Sequence, residues 1–243
     1  MRADYPAPEQ VGELRKLWKE AFGDTDAFLD RFFETGFAFD RCRCIAADGQ
    51  LAAALYWLDC CCDGAPMAYI YAVATAKAHR GKGLCRALME DTHSHLKRLG
   101  YAGCILVPGE TSLFHMYEKM GYACFGGMDT VVCEAGAPVS LQEITPAEYG
   151  ALRRQYLPPH GVQQEGMEFL ASYAKLYAGS DFILAATEDL GLELLGNAVA
   201  APGILAALDK KSGHFRVPGS NPFAMYHSLS DTPAPGYFGI AFD

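Results

Sequence analysis

Hydrophobic residues near the start of the chain recur at the three- and four-residue spacing of an amphipathic helix. They are Val11, Leu14, Leu17, Trp18, Ala21 and Phe22. Gly23 is placed to end this helix, and Asp24 and Thr25 can cap a second, shorter one. That second helix carries Phe28, Leu29, Phe32 and Phe33. The sequence therefore predicts two helices at its start.

Strand patterns follow these helices. Residues 42–47 and 51–59 flank Asp48-Gly49, a dipeptide that favours a two-residue hairpin turn. In this hairpin Cys44 is expected opposite Ala53. Residues 67–75 form an apolar run rich in Tyr, Ile and Val, which is typical of a central strand.

Helices and strands then alternate up to residue 134. The predicted elements are a helix carrying Leu84, Leu88, Leu96 and Leu99 and ended by Gly100, a strand over 103–107, a helix from Thr111 or Ser112 to Met120, and a strand pair over 122–125 and 128–133. The order is α-α-β-β-β-α-β-α-β-β. We predict an α/β (α+β) domain with a mixed central sheet flanked by helices.

Gly136-Ala137-Pro138 marks the predicted domain boundary, which gives domains 1–136 and 138–243. The second, smaller domain is also α/β. Its predicted elements are helices over 146–156, 165–177 and 200–208, and strands over 181–187, 214–217, 223–229 and 237–242. It has no glycine-rich phosphate loop, and Asp181, Glu188 and Asp189 near one of its strands would repel phosphates. We expect this domain not to bind a phosphorylated cofactor.

Composition and charge narrow the classes of function. The chain is 51% hydrophobic and 20% charged, with a net charge of −9, which disfavours nucleic acid and anionic membranes as partners. No apolar run is long enough to span a membrane, and the first ten residues lack the features of a secretion signal. Nine cysteines without regular spacing indicate free thiols in a reducing compartment, so we expect a cytoplasmic protein.

One basic cluster contrasts with this acidic background. Lys77, Arg80, Lys82 and Arg86 place four of the 20 Lys and Arg residues within ten positions. Such a cluster suggests a small anionic ligand, although a solvated basic turn would look the same. Gly81 and Gly83 allow a tight turn that exposes backbone N–H groups where a helix begins. That arrangement favours phosphate binding.

The segment from Val73 to Leu84 resembles the cofactor segment of the GNAT acetyltransferase superfamily. The family pattern is Gln/Arg-x-x-Gly-x-Gly/Ala between a strand and a helix; Arg80 and Gly83 match it, and Cys85, also small, replaces the last residue. The resemblance implies that acetyl-CoA binds here, with main-chain groups of Val73 and Thr75 pairing with the pantetheine arm. The cofactor-binding residues it implies are Val73, Ala74, Thr75, Arg80, Gly81, Lys82, Gly83, Leu84, Cys85 and Arg86.

A second segment, Tyr117-Glu118-Lys119-Met120-Gly121-Tyr122, is similar to the family's Tyr-Glu-Lys-x-Gly-Phe. The resemblance implies that Tyr117 is catalytic and protonates the departing thiolate of CoA. A phenol with a pKa near 10 is protonated at neutral pH and can donate. Taken alone, Tyr117 is equally well a core aromatic residue of an amphipathic helix. The remainder of the chain is faintly similar to a second, degenerate domain, as in tandem members of the superfamily.

A general base and a metal site are harder to find in the sequence. Asp59 and His115 are candidates for a base acting through water, although each is more often a solvated or capping residue. Cys42, Cys44 and the run Cys60-Cys61-Cys62 offer no Cys-x-x-Cys pair. We therefore expect no metal.

Two functions from different classes follow. The first is an N-acetyltransferase that transfers an acetyl group from acetyl-CoA directly to a small-molecule or peptide amine. The alternative is a noncatalytic acyl-CoA-binding module with a regulatory role. The sequence does not identify the amine, and it leaves a homo-oligomer open.

Overall fold

The protein is described here by a computed structural model that covers residues 2–188 and 191–242. The chain divides into two compact units, each assembled from separate stretches of sequence. The first unit comprises Met1–Cys60, Ala65–Ala123 and Met225–Pro233, and the second comprises Cys61–Gly64, Cys124–Ala224 and Ala234–Asp243. The units therefore divide near residue 124 rather than at 136–138, and a late segment of the chain belongs to the first of them.

The first unit is a mixed sheet flanked by helices, which confirms the predicted fold class. Its helices are α1 (Val11–Phe22), α2 (Asp26–Thr35), α3 (Leu84–Arg98) and α4 (Thr111–Glu118). Its strands are β1 (Cys42–Ala47), β2 (Gln50–Cys62), β3 (Ala65–Thr75), β4 (Gly103–Leu106) and the last residues of β11 (Ser212–Ser228). They lie in the order β1-β2-β3-β4-β11. β3 and β4 are parallel, while β11 pairs antiparallel to β4, from Met225 opposite Leu106 to Ser228 opposite Gly103.

The hydrophobic pattern of α3 positions it on this sheet. Leu84, Leu88 and Leu96 are fully or almost fully buried in one core cluster with residues of β2, β3 and β4. Leu99, which the pattern places on the same side, is 51% exposed because the helix ends at Arg98. The helix thus begins at the glycine loop and lies against the strand that precedes it.

The first hairpin turns where the sequence predicts. Asp48 and Gly49 both have positive φ, 53° and 78°, as a type I′ turn requires. The predicted register is wrong by one residue, because Cys44 pairs with Ala54 instead of Ala53. An irregularity between Ile45 and Ala46 causes this shift.

The second unit is also α/β. Its helices are α5 (Pro146–Tyr156), α6 (Met167–Ala171) and α7 (Ala201–Ala207). Its strands are β5 (Ala123–Glu134), β6 (Gln142–Glu143), β7 (Gln163–Gln164), β8 (Lys175–Ala178), β9 (Phe182–Ala186), β10 (Gly191–Gly196) and the earlier part of β11. β11, β10, β9, β8 and β6 follow one another in the sheet, and β5 pairs with β11. Among residues 2–188 and 191–242, no helix combines the length and apolarity that crossing a membrane requires.

Several predicted elements of the second half differ from the structure. The strand pair expected over 122–133 is the single strand β5, and the strands expected over 214–217 and 223–229 are both parts of β11. The helix expected over 165–177 is the short α6 followed by β8. β10 was not predicted, because its sequence Gly-Leu-Glu-Leu-Leu-Gly is buried on both faces and shows no alternation.

A fully buried ion pair lies at the centre of the second unit. Arg153 donates from Nε and Nη2 to the two carboxylate oxygens of Glu193, at 2.7 and 2.8 Å. The hydroxyls of Tyr149 and Tyr237 each donate to the same carboxylate at 3.1 Å. Buried polar groups need hydrogen-bond partners, and these four donors provide them for the Glu193 carboxylate.

The tail of the chain is buried, although the strand expected over 237–242 is absent there. The Gln164 side chain hydrogen-bonds the backbone of this tail. The Ile240 N–H donates to Oε1 of Gln164 at 3.1 Å, and Nε2 of Gln164 donates to the Ile240 carbonyl at 2.6 Å. A side chain thus takes the place that a neighbouring strand would have.

Candidate active site

A gap opens beside the second half of β3. Pairing with β4 runs from Met67 opposite Gly103 to Tyr69 opposite Ile105, whereas β3 continues to Thr75. Ala72 has a φ of 48°, which is unusual for a residue with a side chain and interrupts the pleat. Backbone N–H and C=O groups of residues 73–75 on the β4 side therefore have no partner strand among the described residues, and an extended ligand can pair with them.

The interruption at Ala72 also changes which side chains face α3. Ala68 and Ile70 lie in the core cluster with α3, and simple alternation would continue to residues 72 and 74. Val73 packs on that cluster instead. Val73 and Thr75, the two residues expected to pair with the pantetheine arm, thus lie on the segment that β4 leaves unpaired.

The loop after β3 leads into α3 through two glycines. Gly81 and Gly83 have φ values of 74° and 78°, and a Cβ added to either would meet nothing within 4 Å. Glycine is needed here for the backbone conformation, not for lack of space. The first helical bond is donated by Ala87 N–H to the Gly83 carbonyl at 3.0 Å. The preceding N–H groups, including those of Leu84, Cys85 and Arg86, therefore have no intrahelical acceptor, and a helix N-terminus of this kind favours a nearby anion.

Two side chains fix the ends of this loop. Arg80 donates from Nε to the Thr75 carbonyl at 3.1 Å, which ties the loop to the end of β3. The Lys77 N–H donates to the Glu20 carboxylate of α1. Glu20 had no signal in the sequence, because its contact joins residues 57 positions apart. Lys82 and Arg86 are exposed beside the glycines, and Lys77 and Arg80 are exposed in the loop that precedes them.

Tyr117 lies in the same core cluster as the first turns of α3. Its side chain is buried, with 7% exposure. Burial, with a smaller contribution from the Cys85 thiol, raises the pKa of Tyr117 well above its usual value. The hydroxyl therefore keeps its proton at neutral pH and can donate it. The two sequence segments that suggested a cofactor site thus meet at Cys85 and Tyr117.

Both candidate bases have partners of their own. Asp59 accepts hydrogen bonds from Arg41 at 2.9 to 3.1 Å and from the Tyr101 hydroxyl. The Ala52 carbonyl of β2 accepts the Ala76 N–H beside the loop, and Asp59 lies about 23 Å further along that strand. His115 is 73% exposed on α4 and contacts Glu118 at 3.3 Å. Asp59 thus belongs to an ion pair, and His115 lies on the solvated surface of α4.

A polar cluster, buried at two of its residues and half-buried at the third, packs beside Tyr117. The Tyr122 ring contacts the Tyr117 ring edge-on, with centroids 5.8 Å apart. Its hydroxyl shares a 2.8 Å hydrogen bond with Nε2 of His93 on α3. His227 of β11 stacks on His93 at 4.2 Å and donates from Nδ1 to the Gly121 carbonyl at 3.0 Å. We call His93, Tyr122 and His227 the histidine–tyrosine cluster.

The cluster predicts a pH dependence of stability. Burial and the neighbouring His227 lower the pKa of His93 to about 3 from 6.5. Between pH 3 and pH 6.5 the unfolded chain binds more protons than the folded one. The contribution of neutral His93 to the free energy of unfolding is therefore complete above pH 6.5 and is lost as the pH falls towards 3. We expect the free energy of unfolding in urea to fall by about 2 kcal/mol more between pH 7.5 and pH 5 in the wild type than in His93→Gln. Equal losses in the two proteins would contradict a neutral His93.

The second unit has no counterpart of the glycine loop within its described residues. After β10, Gly196 leads to Asn197, whose Oδ1 accepts the Val199 N–H at 3.1 Å. Asn197 also donates from Nδ2 to the Asp181 carboxylate at 2.8 Å. The N–H group that could bind a phosphate is thus capped by the chain itself, and a carboxylate lies beside it. Glu188 is exposed, and Asp189 lies outside the described residues.

The nine cysteines are all free thiols. Cys60 and Cys62 are buried in β2, beyond its pairing with β1, which ends at Tyr56. Their thiols contact the carbonyls of Met67 and His160. Within the described part of the chain, no group of three or more His, Cys, Asp or Glu side chains could hold a metal ion.

Comparison with known proteins agrees with this geometry. A family model described as an acetyltransferase (GNAT) domain matches residues 4–125, just over half of the chain. That stretch contains β1 to β4, the glycine loop and Tyr117. A comparison with curated proteins found no match.

Solved structures share the fold over most of the chain at low identity. The GCN5-related N-acetyltransferase from Kribbella flavida is 16% identical, with 93% of this chain and 70% of that chain covered and a TM-score of 0.69. The GCN5-related N-acetyltransferase from Anabaena variabilis ATCC 29413 is 14% identical, with coverages of 94% and 72% and a TM-score of 0.69. Eis1 from Mycobacterium abscessus is 10% identical, with coverages of 94% and 74% and a TM-score of 0.71. With a family model that matches half of its length and includes the loop at Gly81 and Gly83, the chain belongs to the GNAT family of acetyltransferases and is an acyltransferase.

Proposed function

We propose that the protein transfers an acetyl group from acetyl-CoA directly to an amine. The observation that carries this proposal is the meeting of three features in one unit: the unpaired end of β3, the loop at Gly81 and Gly83, and the protonated hydroxyl of Tyr117. The first suits the amide-bearing pantetheine arm, the second the pyrophosphate, and the third the thioester sulfur.

The residues support a direct transfer. A neutral amine attacks the thioester carbonyl, the carbon–sulfur bond breaks as the carbon–nitrogen bond forms, and the sulfur leaves with the proton of Tyr117. The attached amine then loses its extra proton to water, and water returns a proton to Tyr117. Holding both reactants in one cleft supplies a large part of the rate enhancement in such reactions.

The alternative, a noncatalytic acyl-CoA-binding module, is favoured by one observation. Asp59 is bound by Arg41 and Tyr101, and His115 is exposed on α4 beside Glu118, so both expected bases have other partners. Release of free CoA from acetyl-CoA, measured with a thiol reagent and a panel of small-molecule and peptide amines, separates the two functions. Release that depends on an amine supports the enzyme, whereas tight acetyl-CoA binding without release supports the module.

Replacing Gly83 with Val tests the cofactor loop. Valine at a φ of 78° carries about 1–3 kcal/mol of strain, which relaxes by moving the N–H groups of the loop. We expect calorimetry to show acetyl-CoA affinity at least 10-fold weaker, since about 1.4 kcal/mol corresponds to a factor of ten. Gly49→Val is the matched control, because Gly49 has the same φ of 78° and equally open surroundings. If both variants bind acetyl-CoA like the wild type, the loop is not the cofactor site.

We further propose that the second unit is a degenerate, GNAT-like unit that does not bind CoA, because Asn197 caps the turn after β10 and the Asp181 carboxylate lies beside it. Calorimetry on the full chain should then give one acetyl-CoA per chain for the wild type and strongly weakened binding for Gly83→Val. A second site that remains in the variant would contradict the proposal.

The charges and cysteines fit a cytoplasmic enzyme that acts on small-molecule or peptide amines. A net charge of −9 opposes binding of nucleic acid, while the exposed cations near Gly81 and Gly83 provide a local site for the phosphates of CoA. Nine free thiols are typical of a reducing compartment.

A further inference from the structure

Tyr122 connects the two helices that carry the candidate site. Its N–H donates to the Tyr117 carbonyl at 3.1 Å, and its ring packs edge-on against the Tyr117 ring. Its hydroxyl reaches His93, on the third turn of the helix that begins at the glycine loop. One residue thus contacts the backbone and ring of Tyr117 and also the cofactor helix.

His227, in the last residues of β11, contacts both His93 and the turn that precedes Tyr122. His227 stacks on His93 with an interplanar angle of 18° and lies 5.2 Å from the Tyr122 ring. Its Nδ1 donates a hydrogen bond to the carbonyl of Gly121. Gly121 has a φ of 87°, which lets the chain turn between α4 and Tyr122. A Cβ at Gly121 would lie 3.0 Å from that nitrogen, so the contact is close. The turn after Tyr117 is therefore held from β11 as well as from α3.

We infer that the histidine–tyrosine cluster positions the Tyr117 hydroxyl relative to the bound thioester, with Tyr122 as its central positioning residue. The inference rests on the proposed function, in which Tyr117 is the general acid. The helix α4 has only eight residues, and Tyr117 is the seventh of them. A residue so near the end of a short helix depends on contacts beyond the helix to fix its side chain.

The Tyr122 hydroxyl is the part of the cluster that can be removed with the least disturbance. Tyr122→Phe keeps the ring against Tyr117 and loses the hydroxyl's hydrogen bonds to His93 and to the Cys104 thiol. Small misplacements of a catalytic group cost up to about 10²-fold in rate, so we expect kcat to fall about 10-fold with unchanged acetyl-CoA affinity. Tyr101→Phe removes a hydroxyl of the same unit that contacts Asp59 instead, and it should leave kcat unchanged.

A double-mutant cycle tests whether Tyr122 acts through Tyr117. In the background of Tyr117→Phe, adding Tyr122→Phe should change kcat by less than about twofold, because the group being positioned is already absent. His93→Leu should reproduce the loss seen in Tyr122→Phe, and His93→Gln, which can still accept the hydroxyl, should restore most of it. Unfolding curves of each variant confirm that the compared proteins are folded.

The outcomes separate the inference from the function on which it rests. If Tyr117→Phe lowers kcat and Tyr122→Phe lowers it by the same factor in both backgrounds, the positioning role is wrong and the acid role stands. The positioning role is equally wrong if Tyr122→Phe and His93→Leu both turn over at the wild-type rate. If Tyr117→Phe itself retains full turnover, the acid role is wrong, and the positioning role falls with it.

Discussion

Replacing Tyr117 with Phe is expected to lower kcat by about 10²-fold or more, the usual contribution of a general acid, with little change in acetyl-CoA affinity. Phe keeps the buried ring in its cluster, so packing is preserved, but it cannot give a proton to the leaving sulfur. The thiolate would then have to leave unprotonated or wait for water. Because burial raises the pKa of Tyr117, its loss of a proton should not limit the rate at moderately alkaline pH.

The measurement is steady-state CoA release at saturating acetyl-CoA with an amine that the wild type accepts. Tyr101→Phe again serves as the control for removing a hydroxyl from the first unit. A variant that turns over like the wild type would make Tyr117 a core aromatic residue and nothing more. Loss of acetyl-CoA affinity together with rate would instead indicate a damaged cofactor cleft.

Removing the carboxylate of Glu193 should have the largest effect on stability. Both side chains of its pair with Arg153 have 0% exposure, so Glu193→Ala leaves an uncompensated guanidinium in the interior. Breaking a buried pair in this way costs about 3–5 kcal/mol. Two tyrosine hydroxyls lose their acceptor as well. We expect a correspondingly lower free energy of unfolding in urea, or failure of the second unit to fold.

An exposed ion pair in the same unit provides the comparison. Lys175 and Glu143 are 65% and 58% exposed at 3.0 Å, and pairs of this kind contribute about 0–1 kcal/mol. Glu143→Ala should therefore unfold almost like the wild type. If Glu193→Ala and Glu143→Ala lose equal, small amounts of stability, the buried network does not hold the second unit together.

Local signals in the sequence identified the elements around the glycine loop. Gly83 and Gly49 both occupy positions with positive φ, and the Thr145 and Glu148 side chains cap α5 where the sequence predicts the start of that helix. These features depend on residues within four positions of one another. The strand, the loop, α3 and Tyr117 could therefore be placed before the structure was known.

Features that depend on residues far apart in the sequence could not be predicted in the same way. The interruption of β3 falls on Ala72, a residue type with no preference for positive φ. Glu193 gains its partners from positions about 40 residues away, at Tyr149, Arg153 and Tyr237. In a single sequence a buried Glu among leucines looks like an ordinary strand or helix residue. The role of residues 225–228 as neighbours of β4 was equally hidden, because the pattern shows that they form a strand but not which strand they join.

The late arrival of those residues has a consequence during synthesis. β4 ends at Leu106, and the part of β11 that covers its free edge begins at Met225. At about 5–20 residues per second, the roughly 120 intervening residues take about 6–24 s to emerge from the ribosome. Throughout that interval the nascent first unit presents an unpaired strand edge, a surface prone to pairing with other chains. A chain that stops near Ala137 would stay in this condition permanently, so premature termination should yield aggregates rather than a small active enzyme.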